Sequence, residues 1–293
     1  MFRKYSILII YLIFLLGFTI YFFLDTLVLS HGYQTIENVS TTGKVSKGDV
    51  ITTETSYQDS NISITLEDYY EYDTKIYVAD IYVNNPSCLK TAFAYDTFGK
   101  NVVQTTSKIA LQNNALIAIN GDYYGVREKG YVIRNGVIYR SVATRNQMDL
   151  VIYSNGEMDI INETDITAEE LIEKGVKDVL SFGPGLVDNF DIQVSEKEEV
   201  GKAMASNPRT AIAYIDKNHY LFVVSDGRTN ESKRLSLYQL AEFLKKLGVE
   251  KAYNLDGGGS STMVFMNNLI NKPTTNGKSI REREVSDIVY IGY

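Results

Sequence analysis

The sequence predicts one extracytoplasmic α+β domain, with a mixed β-sheet and few helices, preceded by an N-terminal transmembrane helix. An uncharged apolar run of about 20 residues lies near the N-terminus. Short runs of β-branched and aromatic residues dominate the rest of the chain. Only two segments combine apolar residues with clear helix-capping signals. A sheet-dominated domain behind a membrane anchor accounts for all three observations.

The N-terminal apolar run indicates a membrane anchor. Residues 5–24 carry no charged side chain, and about 20 such residues are enough to cross a bilayer as a helix. Arg3 and Lys4 precede the run and Asp25 follows it, which places the N-terminus in the cytoplasm. The run is longer than the apolar part of a typical signal peptide, and no small-x-small cleavage site follows it. We therefore expect an uncleaved signal anchor in residues 1–29.

The remaining chain divides into a linker and a domain. Residues 30–57 are rich in Thr, Ser, Gly and charge with little apolar periodicity, which predicts a stalk. Residues 58–293 are expected to form the domain, and they are numerous enough to bury a substantial core. Residues 115–119 form a continuous apolar run typical of a strand buried on both faces. Asn135-Gly136 lies between two strand-like runs and predicts a hairpin turn.

Capping signals predict the two helices of the domain. Thr167 and Glu170 form a capping-box pattern at the start of the first. The second spans residues 236–248, where apolar residues recur at helical spacing between a Ser cap and a Gly stop. This second helix lies between the strand-like segments 220–224 and 249–255, an order that permits a parallel crossover.

The composition excludes several classes of function. The formal net charge is −7 and no basic stripe is present, which argues against a protein that binds nucleic acid. Cys88 is the only cysteine, so no intrachain disulfide can form, and we expect a small buried side chain there. His31 and His219 are the only histidines, which excludes metal sites built from several histidines.

Four polar loops adjoin buried-looking strands and form the candidate site. They combine turn-forming residues with carboxylate, amide or guanidinium side chains, and they lie at residues 120–125, 206–210, 225–228 and 254–263. Each loop taken singly has an ordinary turn sequence. Ligand sites in folds that contain sheets gather where loops at strand ends converge. The four loops together therefore predict a polar crevice.

The loop that begins Asp256-Gly257-Gly258-Gly259-Ser260-Ser261 is the most informative of the four. Its glycines would let a ligand approach the backbone, whose N–H groups can form an anion-binding nest. The loop is not a P-loop, because no Lys follows the glycines, and it does not open a helix as a dinucleotide-binding loop does. Asp256 either caps this turn or serves as an acid, a base or a ligand. Arg281 or Arg283 either lies on a solvated face or reaches the crevice to bind an anion.

Taken together, these segments resemble the phosphodiester glycosidase family, which includes the enzyme that uncovers mannose 6-phosphate by removing N-acetylglucosamine from a phosphodiester. The matching segments follow the family's order over about residues 90–293, at 120–124, 182–187, 207–211, 226–228, 254–263 and 283–287. Two segments depart from the family pattern. This chain has Asn-Gly-Asp-Tyr-Tyr at 120–124 where many relatives have Asn-Gly-Gly-Phe-Phe, and Arg-Glu-Val at 283–285 where Arg-Pro-Val is common.

The resemblance implies hydrolysis of sugar-1-phosphodiester linkages, of the N-acetylglucosamine-1-phosphodiester kind, in a cell-surface glycan or polymer. Bacterial relatives are often labelled exopolysaccharide-biosynthesis proteins. The catalytic candidates are Asp256, Asp226 and Asp122, with the central role given to Asp256. The substrate-binding candidates are Asn120, Gly121, Tyr123, Asn207, Arg209, Thr210, Arg228, Gly257, Gly258, Gly259, Ser260, Ser261 and Arg283. The separation of the catalytic carboxylates would decide between retention and inversion.

Two other functions stay open on the sequence. A non-catalytic glycan-binding module, assisting exopolysaccharide or cell-wall polymer biosynthesis, would need the polar crevice but no perturbed carboxylate. A metal-dependent phosphodiesterase would cleave the phosphorus–oxygen bond, although two histidines argue against that class. The sequence demands no cofactor; a Ca²⁺ or Mg²⁺ ion would fit among the aspartates, but no ligand spacing requires one. The expected partners are a glycan or sugar-phosphate polymer and the membrane.

Overall fold

The computed structural model describes residues 2–36, 48–197 and 207–293, and in them four α-helices and 21 strands. The helices are α1 (Phe2–Leu27), α2 (Thr106–Gln112), α3 (Ala168–Glu173) and α4 (Leu237–Lys246). The strands are β1 (His31–Thr35), β2 (Ile51–Thr52), β3 (Ser56–Gln58), β4 (Ile62–Glu71), β5 (Thr74–Val83), β6 (Leu89–Phe93), β7 (Thr97–Lys100), β8 (Ile117–Asn120), β9 (Val132–Arg134), β10 (Val137–Arg140), β11 (Met148–Tyr153), β12 (Met158–Asn162), β13 (Val176–Leu180), β14 (Gly185–Asp188), β15 (Asp191–Ile192), β16 (Thr210–Asp216), β17 (His219–Ser225), β18 (Lys251–Asn254), β19 (Met263–Phe265), β20 (Asn268–Leu269) and β21 (Asp287–Ile291).

The strands form one large and three smaller sheets. The nine-stranded sheet has the order β15-β14-β18-β16-β17-β5-β4-β3-β2, and a five-stranded sheet has the order β20-β19-β8-β21-β6. A second five-stranded sheet has the order β10-β9-β13-β11-β12, and β1 pairs with β7. Hydrogen-bonded neighbours among the described strands run antiparallel. The predicted α+β class with few helices is confirmed.

The predicted helix caps and the predicted hairpin turn are present in the structure. Thr167 and Glu170 form a reciprocal capping box at the start of α3, and Ser236 and Gln239 form another at α4. The helix α4 connects β17 to β18, which run parallel to each other on opposite sides of β16. The predicted crossover therefore passes over one intervening strand. Asn135-Gly136 makes the hairpin turn between β9 and β10, with positive φ at both residues.

The large sheet is covered on both faces. Because side chains alternate along a strand, Ile212 and Tyr253 pack toward the five-stranded sheet that contains β8, whereas Ala211 and Ala252 pack under α4. Cys88 is buried in the first of these two cores, as predicted. The end of β8 meets the starts of β19 and β21, and the start of β16 meets the ends of β17 and β18. The polar loops consequently gather at one edge of the two packed sheets.

The N-terminal part of the chain contains a helix and the first strands. Within α1, residues Leu8–Leu27 are long and apolar enough to cross a membrane, and none of this stretch is buried. The side-chain amide of Asn101 donates to the Leu29 carbonyl at 3.1 Å, which joins the end of α1 to the domain. Of the predicted stalk, β1 pairs with β7, and β2 and β3 extend the large sheet, while residues 37–47 lie outside the described residues. The boundary at residue 58 stays a prediction.

Candidate active site

Asp256 lies immediately after β18, at the start of the glycine loop. The backbone N–H of Leu255 donates to the carbonyl of Thr210, the first residue of β16, at 2.9 Å. The backbone N–H of Asp256 donates to the carbonyl of Gly121, which follows β8, at 3.3 Å. These bonds tie the loop to both packed sheets. The carboxylate itself is almost enclosed, with 11% of the side chain exposed.

Arg283 clamps this carboxylate and the glycine loop together. Its Nη2 lies 3.1 Å from Asp256 Oδ2 and also donates to the Gly257 carbonyl at 3.0 Å. Its Nε donates to Ser260 Oγ at 2.8 Å, and its backbone N–H donates to the Gly259 carbonyl at 3.2 Å. The side chain is still 41% exposed. Arg283 can therefore hold the loop and face a ligand at the same time.

The surroundings of Asp256 perturb its acidity in two directions. Burial raises the pKa of the carboxyl group, because a desolvated carboxylate loses its hydration. The positive charge of Arg283 and the hydrogen bonds from Ser260, Arg283 and the Gly257 backbone lower the pKa. Burial is the larger effect, so the pKa lies above its ordinary value. Carboxyl groups with perturbed pKa values in a cleft are typical of catalytic sites.

A second guanidinium lies beside the same loop. Arg228 donates from Nη2 to Asn207 Oδ1 at 2.7 Å and from Nη1 to the Thr275 carbonyl, and its side chain is exposed. Burial of part of the side chain and the nearby charge of Arg283 lower the pKa of Arg228. Two like charges this close repel each other, and an anion bound between them would relieve the repulsion.

The glycines of the loop make room for the protein's own groups. A Cβ at Gly258, where φ is +64°, would lie 3.1 Å from Arg228 Nη2, and a Cβ at Gly259 would lie 2.2 Å from Thr275 Oγ1. The loop's N–H groups are also engaged, because those of Gly258, Ser260 and Ser261 donate to backbone carbonyls. The predicted anion-binding nest is therefore not supported at these three donors. The arginine side chains are better placed to bind an anion.

Asn120 holds Asp256 in place. Its amide nitrogen donates to the Asp256 carbonyl at 2.7 Å, and its amide oxygen accepts from Thr210 Oγ1 at 2.8 Å and from the Thr262 N–H at 3.2 Å. Asn120 and Thr210 are fully buried. Asn120 and Thr210, which were predicted to bind substrate, thus form hydrogen bonds within the protein. These bonds connect β8, β16 and the glycine loop. The sequence could not tell an inward amide from one facing a crevice.

Asp122 lies in a buried ion-pair network and not at an open surface. Its Oδ2 accepts from Arg134 Nη2 at 3.1 Å and from the Ser181 N–H at 2.8 Å, and its Oδ1 accepts from the Tyr124 N–H. Arg134 Nη2 also lies 2.6 Å from Asp287 Oδ2, and the Asp122 and Asp287 side chains are fully buried. These contacts oppose the catalytic role expected for Asp122. Neither Arg134 nor Asp287 was among the predicted site residues, although Asp287 ends a family-like segment.

One positive charge faces two carboxylates in this network. Burial and the neighbouring charge of Asp122 raise the pKa of Asp287 to about 8, and Arg134 only partly opposes them. The N–H of Gly121 donates to the Asp287 carbonyl at 2.9 Å, and a Cβ at Gly121 would lie 2.3 Å from Asp287 Oδ1. Gly121, a predicted substrate ligand, therefore packs against the network.

Asp226 anchors the chain segment behind the glycine loop. Its Oδ2 accepts from the Tyr77 hydroxyl at 3.1 Å, and its Oδ1 accepts from the Lys272 N–H at 2.8 Å. Asn271 donates to the Ser261 carbonyl at 2.9 Å, which links this anchor to the loop. These contacts indicate a structural role for Asp226, which the sequence had placed among the catalytic candidates. Tyr77 and Asn271 were missed because neither belongs to a recognisable motif.

The remaining predicted ligands divide between interior and surface. Arg209 is buried and its Nε donates to the Leu235 carbonyl at 3.0 Å. Asn207 orients Arg228, as described above. The Ser261 hydroxyl is buried and has no hydrogen-bond partner within the described residues. Tyr123 is 43% exposed, so its ring is open to solvent. Arg228, Arg283 and Tyr123 are the predicted ligands that solvent reaches most readily.

An open groove runs beside Arg283. Its volume is about 430 Å³, and its walls are formed by Val103, Thr275, Asn276, Ser279, Arg281, Glu282, Arg283 and Glu284. Pockets for small molecules typically measure about 300–1,000 Å³. Arg281, which the sequence offered as an alternative to Arg283, lines this groove, whereas Arg283 is the arginine that contacts Asp256. The groove therefore gives a ligand access to the guanidinium group that contacts Asp256.

The structure offers no obvious metal ligand set in the ranges 2–36, 48–197 and 207–293. No group of three or more His, Cys, Asp or Glu side chains there is arranged to hold an ion. The Asp122, Asp226 and Asp256 carboxylates bond to different partners, namely Arg134, Tyr77 and Arg283, and the Ca²⁺ or Mg²⁺ site that the sequence left open stays an untested expectation.

Comparison with known proteins relates this chain to enzymes and to uncharacterized proteins. It is 26% identical over 224 residues to the SPbeta prophage-derived uncharacterized protein YomE of Bacillus subtilis, a match that spans 71% of this chain and 34% of that protein. It is 42% identical over 66 residues to human N-acetylglucosamine-1-phosphodiester alpha-N-acetylglucosaminidase, which is 22% of this chain and 13% of the enzyme. The chain thus matches only a minor part of either relative.

The fold has a match among solved structures. The catalytic domain of the zebrafish N-acetylglucosamine-1-phosphodiester alpha-N-acetylglucosaminidase, auto-inhibited by its pro-peptide, superposes with a TM-score of 0.61 at 18% identity. The match covers 90% of this chain and 88% of that domain, and at this identity it shows a common fold. The family model for phosphodiester glycosidase matches residues 113–292, which contain the glycine loop and the ion-pair network. The chain therefore belongs to the phosphodiester glycosidase family.

Proposed function

We propose that this protein hydrolyses sugar-1-phosphodiester linkages, of the N-acetylglucosamine-1-phosphodiester kind, in an extracytoplasmic glycan or polymer. The observation that carries the proposal is the arrangement at the glycine loop. One enclosed carboxyl group with a raised pKa, Asp256, lies 3.1 Å from a half-exposed guanidinium, Arg283, and a second guanidinium, Arg228, lies beside the same loop. A site that hydrolyses a sugar-1-phosphodiester needs cationic side chains to bind the phosphate and a carboxylate to act at the sugar.

In this proposal Arg228 and Arg283 bind the phosphate through charge-assisted hydrogen bonds. Asp256 acts at the anomeric carbon as a carboxylate, which either deprotonates a water molecule that attacks this carbon or attacks it directly to form a glycosyl ester. In the second route water then hydrolyses the ester, which releases the sugar and restores the carboxylate. The carbon–oxygen bond breaks, and its electron pair leaves with the phosphate monoester. That group is a weak base, so a strong general acid is not needed. Tyr123, whose ring is exposed, is the candidate for stacking on the sugar.

We also propose that α1 anchors the protein in the membrane as a single-pass helix, with the domain outside the cytoplasm. The length and apolar composition of Leu8–Leu27 support this, as do the positive charges that precede the helix. A substrate at the cell surface would then lie on the same side of the membrane as the site.

The test is to incubate the purified protein with N-acetylglucosamine-1-phosphodiesters in ¹⁸O-labelled water and to follow the products by ³¹P NMR. Cleavage at the carbon–oxygen bond yields a phosphate monoester without ¹⁸O, together with free sugar. Cleavage at the phosphorus–oxygen bond would place ¹⁸O on the phosphate and would contradict the proposal. Substrate that stays bound and intact over hours would favour the alternative of a glycan-binding module.

The matched variant for this test is Asp256→Asn, which keeps the size of the side chain and removes its charge. We expect it to lower kcat by at least about a thousandfold, since loss of a catalytic nucleophile or base generally costs that much. Substrate should still bind, because Arg228 and Arg283 remain. Hydrolysis at the wild-type rate would remove Asp256 from the mechanism.

A further inference from the structure

A second groove lies on the side of the domain that adjoins α1. Its volume is about 250 Å³, and it is lined by β7, β10, the loop after Tyr123 and the Tyr33 side chain of β1. It is a separate space from the groove beside Arg283, because the two have no lining residue in common. None of the residues assigned above to catalysis or phosphate binding lines it.

Aromatic rings form one wall of this groove. Phe98 packs against Tyr124 and Tyr139, with ring centroids 5.4 and 5.3 Å away, and Phe93 supports the group from behind. Tyr33 lies 5.9 Å from Phe98 at the rim, and 65% of it is exposed. An exposed ring on a rigid aromatic base is an apolar surface that suits the CH face of a sugar or polyol ring.

Positive charge forms the other wall. Lys100, Arg127 and Arg140 line the groove, and Glu128 is the acidic residue among the lining side chains. Lys100 Nζ is 3.4 Å from Glu128 Oε1, but Glu128 is 82% exposed and therefore a weak partner. Arg140 donates from Nε to the Gly130 carbonyl at 2.7 Å, which fixes the loop. Arg127 donates from Nη1 to the Ser181 carbonyl at 2.8 Å, so its remaining guanidinium N–H groups and the Lys100 ammonium group are the donors for an anion.

The groove lies close to the proposed membrane surface. Asn101, the neighbour of Lys100, donates to the carbonyl of Leu29, two residues beyond the end of α1. Tyr33 follows four residues later in the sequence. If α1 spans the membrane, as proposed above, the groove is therefore at the depth of lipid headgroups. This placement rests on the proposed anchor, whereas the chemistry of the groove does not.

We propose that this groove binds a phosphorylated sugar or polyol headgroup, with the ring against Tyr33 and Phe98 and the phosphate at Lys100 and Arg127. Its volume is just below the roughly 300–1,000 Å³ of typical small-molecule pockets, which suits one ring and its phosphate. A membrane lipid and a soluble sugar phosphate share this chemistry. The site would hold the domain in a set orientation at the membrane, apart from the site at Asp256.

The experiment uses the full chain in nanodiscs and reads amide hydrogen exchange in residues 97–100 and 124–128. The lipid arm compares discs that contain phosphatidylinositol with discs of phosphatidylcholine alone. The soluble arm adds inositol 1-phosphate to phosphatidylcholine discs and to the chain in detergent. Protection in the first arm alone identifies a lipid, and protection in the second identifies a soluble ligand. A chain that fails to co-elute with discs contradicts the anchor, while the detergent measurement still tests the groove.

Variants of residues that line the groove separate binding there from general effects on the protein. Tyr33→Ala and Lys100→Gln should each weaken the affinity by about tenfold, the loss expected for one charge-assisted or stacking contact. Glu128→Gln should tighten binding, because it removes the carboxylate that competes with the phosphate. The controls are Tyr70→Ala, at an equally exposed ring, and Lys217→Gln, at a distant turn. Absence of protection with every probe, or equal losses in the controls, would overturn the proposal.

Discussion

Arg283 Nη2 lies 3.1 Å from Asp256 Oδ2 and, at 3.0 Å, donates to the carbonyl of Gly257, the next residue. One guanidinium group thus influences the charge of the candidate catalytic carboxyl and the position of the loop that carries it. Since 41% of the side chain stays exposed, the same group can also contact a phosphate. The proposed mechanism depends on this pair more than on any other contact.

Replacing Arg283 should shift the pH dependence of hydrolysis. The Arg283 charge lowers the pKa of Asp256, so its removal in Arg283→Gln raises that pKa further. Because Asp256 acts as a carboxylate in the proposed mechanism, the acidic limb of the kcat profile should move to higher pH. Arg283→Lys keeps the charge and should shift the limb less. An acidic limb that is the same in the wild type and Arg283→Gln would show that another group titrates.

Replacing Arg228 should weaken substrate binding. Arg228→Gln removes a guanidinium whose repulsion from Arg283 a bound phosphate would relieve. A hydrogen bond to a charged group contributes about 1.5–3 kcal/mol, so KM should rise by about tenfold or more. The measurement is a steady-state comparison with Arg145→Gln, a change at an exposed arginine outside the site. If both variants had the same KM, Arg228 would not be a phosphate ligand.

Removing the Asn120 side chain should cost both stability and turnover. Asn120→Ala leaves the Asp256 carbonyl, the Thr210 hydroxyl and the Thr262 N–H without a partner in the interior. Each buried polar group left unpaired costs about 1–3 kcal/mol, which urea unfolding followed by circular dichroism would detect. We expect kcat to fall while KM changes less, because Asp256 moves and the arginines do not.

Thr210→Val, a milder change in the same hydrogen-bond group, is the variant to compare with Asn120→Ala. Thr210→Val removes one donor and leaves the Asn120 amide bound to the Asp256 carbonyl, so its effect on kcat should be smaller. Asn230→Ala, in an exposed loop, should change neither the unfolding free energy nor kcat. Equal kcat values for Asn120→Ala and the wild type would contradict the positioning role.

The buried ion-pair network should make stability depend on pH. The pKa of Asp287 is raised to about 8 in the folded protein, so the folded state holds a proton that the unfolded chain releases near pH 4. The contribution of this group to the unfolding free energy is complete below about pH 4 and is lost as the pH rises to about 8. Unfolding in urea at pH 5 and pH 8 should show that decline, with each pKa unit equivalent to about 1.4 kcal/mol.

Asp287→Asn should flatten this decline, because an amide does not titrate and can still accept from Arg134. Asp191→Asn, at a carboxylate that is 80% exposed, should keep the wild-type slope. A wild-type slope in Asp287→Asn would mean that a different group takes up the proton.

The sequence predicted those parts of the fold that depend on neighbouring residues. The capping box at Thr167, the Ser cap at Ser236, the hairpin at Asn135-Gly136 and the apolar helix depend on short stretches of sequence, and the structure confirms them. Each family-like segment is also a short stretch of sequence, so it could be recognised without the fold. The stalk and the cytoplasmic end of the chain stay predictions.

Roles within the site depend on contacts between residues far apart in the chain. Asp122 looks like a free carboxylate until the fold brings Arg134 and Asp287 against it. Asp226 has an ordinary turn sequence, and its partners Tyr77 and Asn271 lie 149 and 45 residues away. The sequence could not rank the three aspartates by burial or partners, although it gave the central role to Asp256.

By itself, then, the sequence determined the fold class, the apolar helix, the family and the segments of the candidate site. Only the tertiary structure decided which polar side chains face inward as supports and which, like Arg228 and Arg283, meet solvent. The physical reason is that residue type sets which hydrogen bonds and ion pairs a side chain can form. Burial and the distance to other groups decide which of these bonds it does form. Both depend on strands that come from distant parts of the chain and end at one edge of two packed sheets.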